Sequence, residues 1–179
     1  MSKLERKTKE TTIVAEVRIG DGPSKVSIDD RFLEHMVETL ARYASLEIEI
    51  EATGDLRHHL VEDVAIVLGQ GLKEELPDGI ARFGSGLIPM DEALVQAAID
   101  VGGRPYFVGK LPSKLYTHFL HSFATNLAAT LHVQVLRGSD RHHVVEAAVK
   151  ALGMALRDAL VEREEIFSTK GAVQKERLD

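Results

Sequence analysis

The chain contains no cysteine among its 179 residues. Disulfide bonds and thiolate metal sites are therefore excluded, and any bound metal must be held by His, Asp or Glu. The sequence also has no apolar run that approaches the roughly 18 residues needed to cross a bilayer. Its opening segment, MSKLERKTKETT, lacks the apolar core of a secretory signal. We therefore expect a cytoplasmic protein that makes no contact with membranes.

Basic residues are the smaller charged group, with 22 Lys and Arg against 28 Asp and Glu, which gives a formal charge of −6. Nonspecific binding to nucleic acid requires a basic surface, so we exclude that class of partner. A local basic pocket for a small anion remains compatible with this charge. Apolar residues make up 44% and charged residues 28% of the chain, which is ordinary for a globular protein.

Two segments of the chain share one sequence pattern. HHLVEDVAIVLGQGL begins at His58 and HHVVEAAVKALGMAL begins at His142, and eight of 19 aligned positions are identical. The preceding stretches also match, because each has a helical spacing of apolar residues around His35 or His118, then the strand-like alternation LEIEIEA or LHVQVLR. Two more strand-like segments lie upstream in each half. We infer a duplication in which each half reads strand, strand, helix, strand, helix.

The duplication predicts the fold class. Each half has a small sheet and two helices with apolar faces to cover, and two such halves can cover these faces by packing together. We predict an α+β fold, a sandwich-like arrangement of two fused, similar half-domains related by a pseudo-twofold axis. The Gly- and Pro-rich segment PDGIARFGSGLIP marks the boundary, so the first half-domain is 1–86 and the second, with its STKG segment, is 87–179.

The repeated helix offers side chains that can bind metal. Residues three or four apart share a helical face, so the glutamate of each HHxxE segment lies near both histidines that precede it. Adjacent histidines point about 100° apart, so one HH pair can serve two ions. With the matched histidine of each preceding helix, the chain offers six histidines and two glutamates, which suit Mn, Fe, Zn or Co. We group them as two sets: His35, His59, Glu62 and His142; and His118, His143, Glu146 and His58.

One position breaks the symmetry of the repeat. Lys150 lies one helical turn after Glu146, whereas its equivalent in the first half is Ile66. Two matched metals that bind an asymmetric substrate would need such a difference. Four other polar residues are interpreted as strand-start charges or as structural and supporting histidines: Asp91, Glu92, His121 and His132.

A series of short motifs follows one order along the chain. They are TKET, FLEHM, GDLRHHLVEDVAIVLG, GIARFG, PMDEAL, GGRPY, TLHV, HHVVEAAVKA and STKG. This series, which runs from about Arg6 to Gly171, resembles the imidazoleglycerol-phosphate dehydratase family. The resemblance implies two manganese ions held by His and Glu at subunit interfaces, and an assembly of 24 subunits built from trimers. It also implies removal of water from imidazole-glycerol phosphate to give imidazole-acetol phosphate, a step of histidine biosynthesis.

The resemblance further implies roles for individual residues. The eight residues of our two metal sets fall at ligand positions of the family. Glu10 of TKET falls at the position of the carboxylate that moves the carbon-bound proton. Five residues match the family's phosphate-binding positions: Arg82, Arg104, Lys150, Ser168 and Lys170. We therefore expect a small phosphorylated imidazole substrate, self-association, and two divalent ions per chain, with manganese preferred.

The sequence departs from the family pattern at a few positions. The family usually has two acidic residues just before its first HH pair, where this chain has Leu56 and Arg57. Such acids would orient ligand histidines by hydrogen bonding, so this change bears on metal affinity rather than on the ligands themselves. Tyr43 stands where the family commonly has His, and Asp140 stands where it commonly has Asn.

Two other functions could use the same residues. The first is a hydrolase with a binuclear centre, which would require two metals roughly 3.5–4 Å apart. The chain is rich in His and lacks a bridging Asp motif, which argues against that function. The second is a non-enzymatic assembly in which metals only join subunits. That alternative requires no Glu10, Lys150 or Lys170, so the presence of all three favours the enzyme.

Overall fold

The computed structural model describes residues 3–163, which form eight strands and four helices. The first half contains β1 (Lys3–Lys7), β2 (Thr11–Ile19), β3 (Lys25–Ile28), α1 (Arg31–Ala44), β4 (Leu46–Gly54) and α2 (Arg57–Glu74). The second half contains β5 (Phe83–Met90), β6 (Ala93–Val101), β7 (Tyr106–Gly109), α3 (Lys114–Leu127), β8 (Ala129–Arg137) and α4 (Arg141–Ala159). None of the helices in this range is long and apolar enough to cross a membrane.

The two sheets have the same topology. The first has the strand order β1-β2-β4-β3 and the second has the order β5-β6-β8-β7. In each sheet the first two pairings are antiparallel, and the last, β3 with β4 or β7 with β8, is parallel. The predicted α+β fold of two similar halves is confirmed. β5 begins at Phe83, shortly before the division at residues 86 and 87, and that division stays a prediction.

The helices lie between the two sheets. Along β4, Leu46, Ile48 and Ile50 are buried while Glu49 and Glu51 are exposed, as expected for a strand with one face on the core. Helices α1 and α2 cover the inner face of the first sheet, and α3 and α4 cover that of the second. The two helical layers then pack together, with α1 against α4 and α2 against α3. Each helix therefore meets a helix of the opposite half.

Two strands, β1 and β5, go beyond the elements predicted for each half. β1 has the sequence KLERK and no fully buried residue, so it carries no strong apolar pattern. β5 contains two glycines and a proline, which are typical of a boundary segment. These glycines are needed for packing, because a Cβ on Gly84 or Gly86 would stand 1.9 Å or 2.4 Å from a backbone carbonyl oxygen of α4. The absence of side chains lets α4 approach the strand closely.

The two HH helices begin differently, since only α4 has a side-chain cap. The side chain of Asp140 accepts hydrogen bonds from the backbone N–H groups of His142 and His143, and so caps α4. The residue before α2 is Leu56, whose side chain makes no such bond. In both helices the HH pair lies in the first turn, which places two imidazoles at the N-terminal end of the helix.

Candidate functional site

Three side chains from the two halves form a compact group of metal-binding atoms. The group consists of His58, Glu62 and His118, whose ligand atoms all lie within 4.8 Å of one another. Nε2 of His58 and Nδ1 of His118 lie 3.7 Å and 3.8 Å from Oε2 of Glu62. The two imidazole rings stack, with centroids 5.7 Å apart. Two imidazoles and a carboxylate form a donor set that suits a transition-metal ion.

A second group has the same composition. Nε2 of His35 lies 3.5 Å and Nε2 of His142 lies 3.1 Å from Oε2 of Glu146. The other oxygen of Glu146 lies 2.9 Å from Nζ of Lys150. Burial alone would raise the pKa of Glu146, but Lys150 and His35 outweigh this effect and lower that pKa. The carboxylate is therefore held as an anion, the form that binds metal.

The two groups differ from the sets predicted from the sequence. We predicted that His35 shares an ion with Glu62, and that His118 shares one with Glu146. Within one chain the structure brings other pairs together, because His35 lies beside Glu146 and His118 lies beside Glu62. The sharing of one ion by the predicted sets stays a prediction. The cause is the packing of α1 on α4 and of α2 on α3. The first helix of each half meets the HH helix of the other half.

The second histidine of each HH pair has different partners. Nδ1 of His59 donates a hydrogen bond to Oδ1 of Asp55 over 2.8 Å, and Nδ1 of His143 donates one to Oε2 of Glu92 over 2.7 Å. A carboxylate can only accept, so the proton lies on Nδ1 in both rings. Nε2 of His143 lies 3.5 Å from Oδ2 of Asp91. In its neutral form, each ring keeps a free electron pair on Nε2, which can bind metal.

These contacts shift the pKa values of both the histidines and the carboxylates. The hydrogen bond to Asp55 raises the pKa of His59, and the hydrogen bond to Glu92 raises the pKa of His143. The pKa of Asp55 is lowered by the same bond to His59. The pKa of Glu92 is lowered to about 2, first by the backbone N–H of Asp140 and then by His143. Both carboxylates are anions at neutral pH.

Glu10 lies in the turn between β1 and β2, beside the first HH pair. Its Oε2 is 3.6 Å from Nδ1 of His59, and its side chain is 54% exposed. The hydroxyl of Thr8 accepts hydrogen bonds from the backbone N–H groups of Glu10 and Thr11, which fixes the turn. The hydroxyl of Thr11 donates to Asp63, a buried carboxylate of α2. The backbone of the turn is thus anchored while the Glu10 side chain remains accessible.

Each histidine group lies at a cavity. His118 lines a cavity of about 930 Å³ together with Arg141. Glu146 lines another of about 840 Å³ together with Lys150 and Tyr43. Nζ of Lys150 lies 5.6 Å from the centre of the Tyr43 ring. Tyr43 is one of the residues at which the sequence departs from the family pattern. Both cavities combine metal-binding atoms with a cation, a combination that suits an anionic ligand.

The predicted phosphate-binding residues within residues 3–163 have different partners. Lys150 lies in the second histidine group, whereas Arg82 forms a bidentate pair with Asp100 over 2.6 Å and 3.0 Å. That pairing raises the pKa of Arg82. Arg104 is exposed in the turn between β6 and β7, and no hydrogen bond or ion pair within residues 3–163 links either arginine to Lys150. Two of the predicted residues lie outside the described range: Ser168 and Lys170.

Three acidic residues of this region were not predicted: Asp55, Asp63 and Asp100. Asp55 could have been found from the sequence, since it lies one helical turn before His59 at the start of α2. Asp100 had no local signal, because it meets Arg82 only through the tertiary structure. Glu92 does stand at the start of a strand, as its position in the sequence indicates, but it also binds a candidate metal ligand.

Comparison with known proteins shows extensive similarity to one family. The family model described as imidazoleglycerol-phosphate dehydratase matches residues 29–156. The chain is 42% identical over 193 residues to the imidazoleglycerol-phosphate dehydratase of Clostridium botulinum (strain Hall), with 97% of this chain and 98% of that protein covered. It is 43% identical over 190 residues to the protein of the same name from Methanosarcina mazei, with 97% and 99% covered.

Solved structures share both the fold and the sequence. The crystal structure of IGPD from Pyrococcus furiosus in complex with (S)-C348 matches with a TM-score of 0.85 and 41% identity, over 95% of this chain and 100% of that one. Imidazoleglycerol-phosphate dehydratase from Staphylococcus aureus matches with a TM-score of 0.79 and 32% identity, over 91% and 100%. The chain belongs to the imidazoleglycerol-phosphate dehydratase family.

Proposed function

We propose that this chain catalyses the reaction after which its family is named, with the help of bound metal ions. Imidazole-glycerol phosphate loses water and becomes imidazole-acetol phosphate, a step of histidine biosynthesis, so the enzyme is a hydro-lyase. The observation that carries the metal dependence is the compact group of His58, Glu62 and His118, which joins ligands from both halves of the duplicated chain. A phosphorylated substrate does not cross membranes freely, which favours a cytoplasmic location.

Two divalent ions per chain fit the donor atoms, one at each histidine group. The first would be held by His58, Glu62 and His118, and the second by His35, His142 and Glu146. Imidazole and carboxylate ligands suit manganese, which we propose as the native metal. A bound divalent ion supplies Lewis-acid chemistry and a template for the substrate.

We place the remaining two candidate ligands across an interface between copies of the chain. His59 and His143 keep Nε2 available, and neither belongs to the compact group within residues 3–163. Each group supplies three protein ligands, and an outward histidine of a neighbouring copy would supply a fourth. Such sharing requires self-association. Family resemblance favours trimers that build a symmetric assembly of 24 subunits.

Glu10 is the proposed base that takes the carbon-bound proton. An accessible carboxylate on an anchored backbone can be held close to a substrate carbon and still move to receive the proton. The Glu10 side chain has this character, because it accepts no hydrogen bond from residues 3–163 and lies on a turn fixed by Thr8. Its nearest candidate ligand is His59, which lies in the proposed interface.

The substrate phosphate is the proposed partner of the cationic residues. Lys150 would provide a point charge within the second histidine group, and the two arginines would provide planar forks that match phosphate oxygens. Arg82 is paired with Asp100 and Lys150 with Glu146, and we propose that a site that uses all three cations combines residues of more than one copy. The cations proposed for the phosphate are Arg82, Arg104, Lys150 and Lys170, with Ser168 as a hydroxyl donor.

Metal content and activity measured together test this function. Protein purified without chelator, then incubated with manganese and desalted, should carry about two ions per chain by elemental analysis, one for each histidine group. It should also convert imidazole-glycerol phosphate to the keto product. Protein that binds manganese without converting substrate would support the assembly that uses metals only to join subunits. Protein that binds no manganese would contradict the metal site itself.

A mixed assembly tests whether copies share the sites. His118→Ala removes a ligand of the compact group, and His143→Ala removes an outward histidine. Each variant alone should lose metal, but chains of the two variants refolded together should recover part of it, because intact sites form wherever complementary copies meet. If the mixture binds no more metal than the average of the two variants, His143 of a neighbouring copy does not complete the group that contains His118.

A further inference from the structure

Two hairpin turns bring a glutamate to the same place in each half. Glu10 is the residue that precedes β2, and Glu92 is the residue that precedes β6, the equivalent strand of the second sheet. Each lies beside the second histidine of the HH pair of its own half, with Glu10 3.6 Å from Nδ1 of His59 and Glu92 2.7 Å from Nδ1 of His143. The duplication thus produced two equivalent carboxylates.

The two carboxylates are held very differently. Oε1 of Glu92 accepts hydrogen bonds from the backbone N–H groups of Ser139 and Asp140, over 3.1 Å and 2.7 Å. Oε2 of Glu92 accepts the bond from His143. Three donors therefore fix this side chain against the start of α4. By contrast, the carboxylate of Glu10 accepts no hydrogen bond from any residue in the range 3–163.

At the first HH pair, another residue fills the place that Glu92 has at the second. Oδ1 of Asp55 accepts hydrogen bonds from the backbone N–H of Leu56, over 2.6 Å, and from Nδ1 of His59, over 2.8 Å. Asp55 therefore performs the bonding that Glu92 performs in the other half. It also does what the family's acidic pair before the HH segment would do, although this chain has Leu56 and Arg57 there.

We propose that Asp55 and Glu92 are positioning residues that fix His59 and His143 as metal ligands through Nε2, and that Asp55 thereby leaves Glu10 free to act on the substrate. The proposal rests on the metal-binding function proposed above. A carboxylate that accepts the Nδ1 proton selects one tautomer, orients the ring and strengthens the donor nitrogen on the other side. These two histidines are the ligands that must reach a neighbouring copy, so their orientation cannot be set by the other ligands of their own chain.

The geometry around Glu92 makes one substitution diagnostic. Glutamine has a single side-chain oxygen, and the two backbone N–H groups of Ser139 and Asp140 would hold it in the place of Oε1. The amide NH₂ would then face Nδ1 of His143 and donate to it. The ring would be forced into the tautomer that carries its proton on Nε2, which cannot bind metal. Glu92→Gln therefore keeps the shape of the side chain and its bonds to the backbone N–H groups of Ser139 and Asp140, but it reverses the tautomer of His143.

The corresponding acid-to-amide change at Asp55 should leave the tautomer of its histidine unchanged. Both of its hydrogen bonds are accepted by a single oxygen, Oδ1, so the one oxygen of asparagine can accept both. Asp55→Asn should therefore retain the tautomer of His59, whereas Asp55→Ala should lose it. Hydrogen-bond geometry alone therefore predicts that Glu92→Gln changes the tautomer of its histidine and that Asp55→Asn does not.

Calorimetric titration of each metal-free variant with manganese tests the proposal. Glu92→Gln and Glu92→Ala should both weaken one class of site by roughly 10–100-fold, the usual effect of losing a ligand's hydrogen-bond partner. Asp55→Ala should weaken the other class to a similar degree, and Asp55→Asn should stay within a few-fold of wild type. Glu51→Gln, an exposed change on the outer face of β4, is the matched control and should bind like wild type.

The outcomes separate this proposal from the metal function on which it rests. If Glu92 only fixes the backbone just before α4, Glu92→Gln will bind manganese nearly as well as wild type while Glu92→Ala destabilises the metal-free protein. That result would overturn the positioning role and leave the metal sites standing. Manganese affinity unchanged in all four variants would overturn it as well. If wild type itself binds no manganese, the metal function fails first, and the positioning role fails with it.

Discussion

Nδ1 of His118 lies 3.8 Å from Oε2 of Glu62, although the two residues belong to different halves of the chain. The contact exists because α3 packs on α2 across the pseudo-twofold axis. The same exchange brings His35 of α1 to Glu146 of α4. Each candidate metal group is therefore built from both halves, and neither half could form one alone. The helix packing that joins the two halves therefore also assembles both candidate metal groups.

Removing a ligand from the compact group should abolish one metal site. His118→Ala takes away one of three clustered donors, and its effect should exceed the roughly 10–100-fold loss that follows when only a ligand's hydrogen-bond partner is removed. Elemental analysis after manganese incubation and desalting measures the loss. His132→Ala is the control, since His132 is exposed on β8 beside Tyr106. An equal loss in both variants would contradict the assignment.

Filling the space above Gly84 should destabilise the fold. A Cβ there would stand 1.9 Å from the backbone oxygen of Ala155, and neither backbone can move without shifting a helix or a strand. We expect Gly84→Ala to lower the stability by about 1–3 kcal/mol or more, which thermal unfolding measures as a fall of several degrees. Gly20→Ala is the control, because its Cβ would meet only the flexible end of Glu47, at 2.9 Å. Equal melting temperatures for the two variants would contradict the packing argument.

The proposed base and the proposed phosphate contacts should affect different kinetic constants. Glu10→Gln keeps the shape of the side chain but removes its basicity, so turnover should fall by well over tenfold, a penalty of more than about 1.4 kcal/mol, with substrate affinity preserved. Arg104→Ala should chiefly raise the Michaelis constant, because a charge-assisted bond contributes roughly 1.5–3 kcal/mol to binding. Steady-state kinetics separate the two. A Glu10→Gln enzyme that retains more than a tenth of its turnover would exclude Glu10 as the base.

The pair formed by Glu92 and His143 should stabilise the metal-free protein within a limited pH range. The pKa of Glu92 is lowered from 4.5 to about 2, so its contribution is present above pH 4.5 and is lost as the pH falls toward 2. The pKa of His143 is raised above 6.5, so its contribution is present below pH 6.5 and is lost as the pH rises through the raised value. Thermal unfolding in chelator should show the largest difference between wild type and Glu92→Ala between these limits. A difference that keeps growing below pH 4.5 would contradict the pair.

Periodicity predicted most of the fold. The alternation in LEIEIEA and LHVQVLR correctly indicates β4 and β8, and the repeat of the HH helix correctly indicates two similar halves. β5 was missed because Gly84 and Gly86 weaken the strand pattern. These glycines are required because they let α4 pack closely against the strand. A requirement for close packing by a distant helix leaves no periodic signal in the strand itself.

The sequence indicates the candidate ligands, but it does not indicate which of them meet within one chain. All eight come from the HHxxE segments and the matched histidines, which the repeat places in register. Which histidine meets Glu62 and which meets Glu146 depends on how four helices pack, and two similar halves allow either pairing. The role of Glu92 was equally hidden, since its partner His143 is brought near by the pairing of β6 and β8 and the packing of α4.

Bound metal is proposed to enable this chain to dehydrate imidazole-glycerol phosphate. The most direct test strips metal from the wild-type protein with chelator, removes the chelator, and follows formation of the keto product before and after manganese is restored. We expect no turnover in the stripped protein, and recovery that rises in proportion to bound manganese until about two ions per chain are present. Full turnover by protein shown to be free of metal would contradict this proposal.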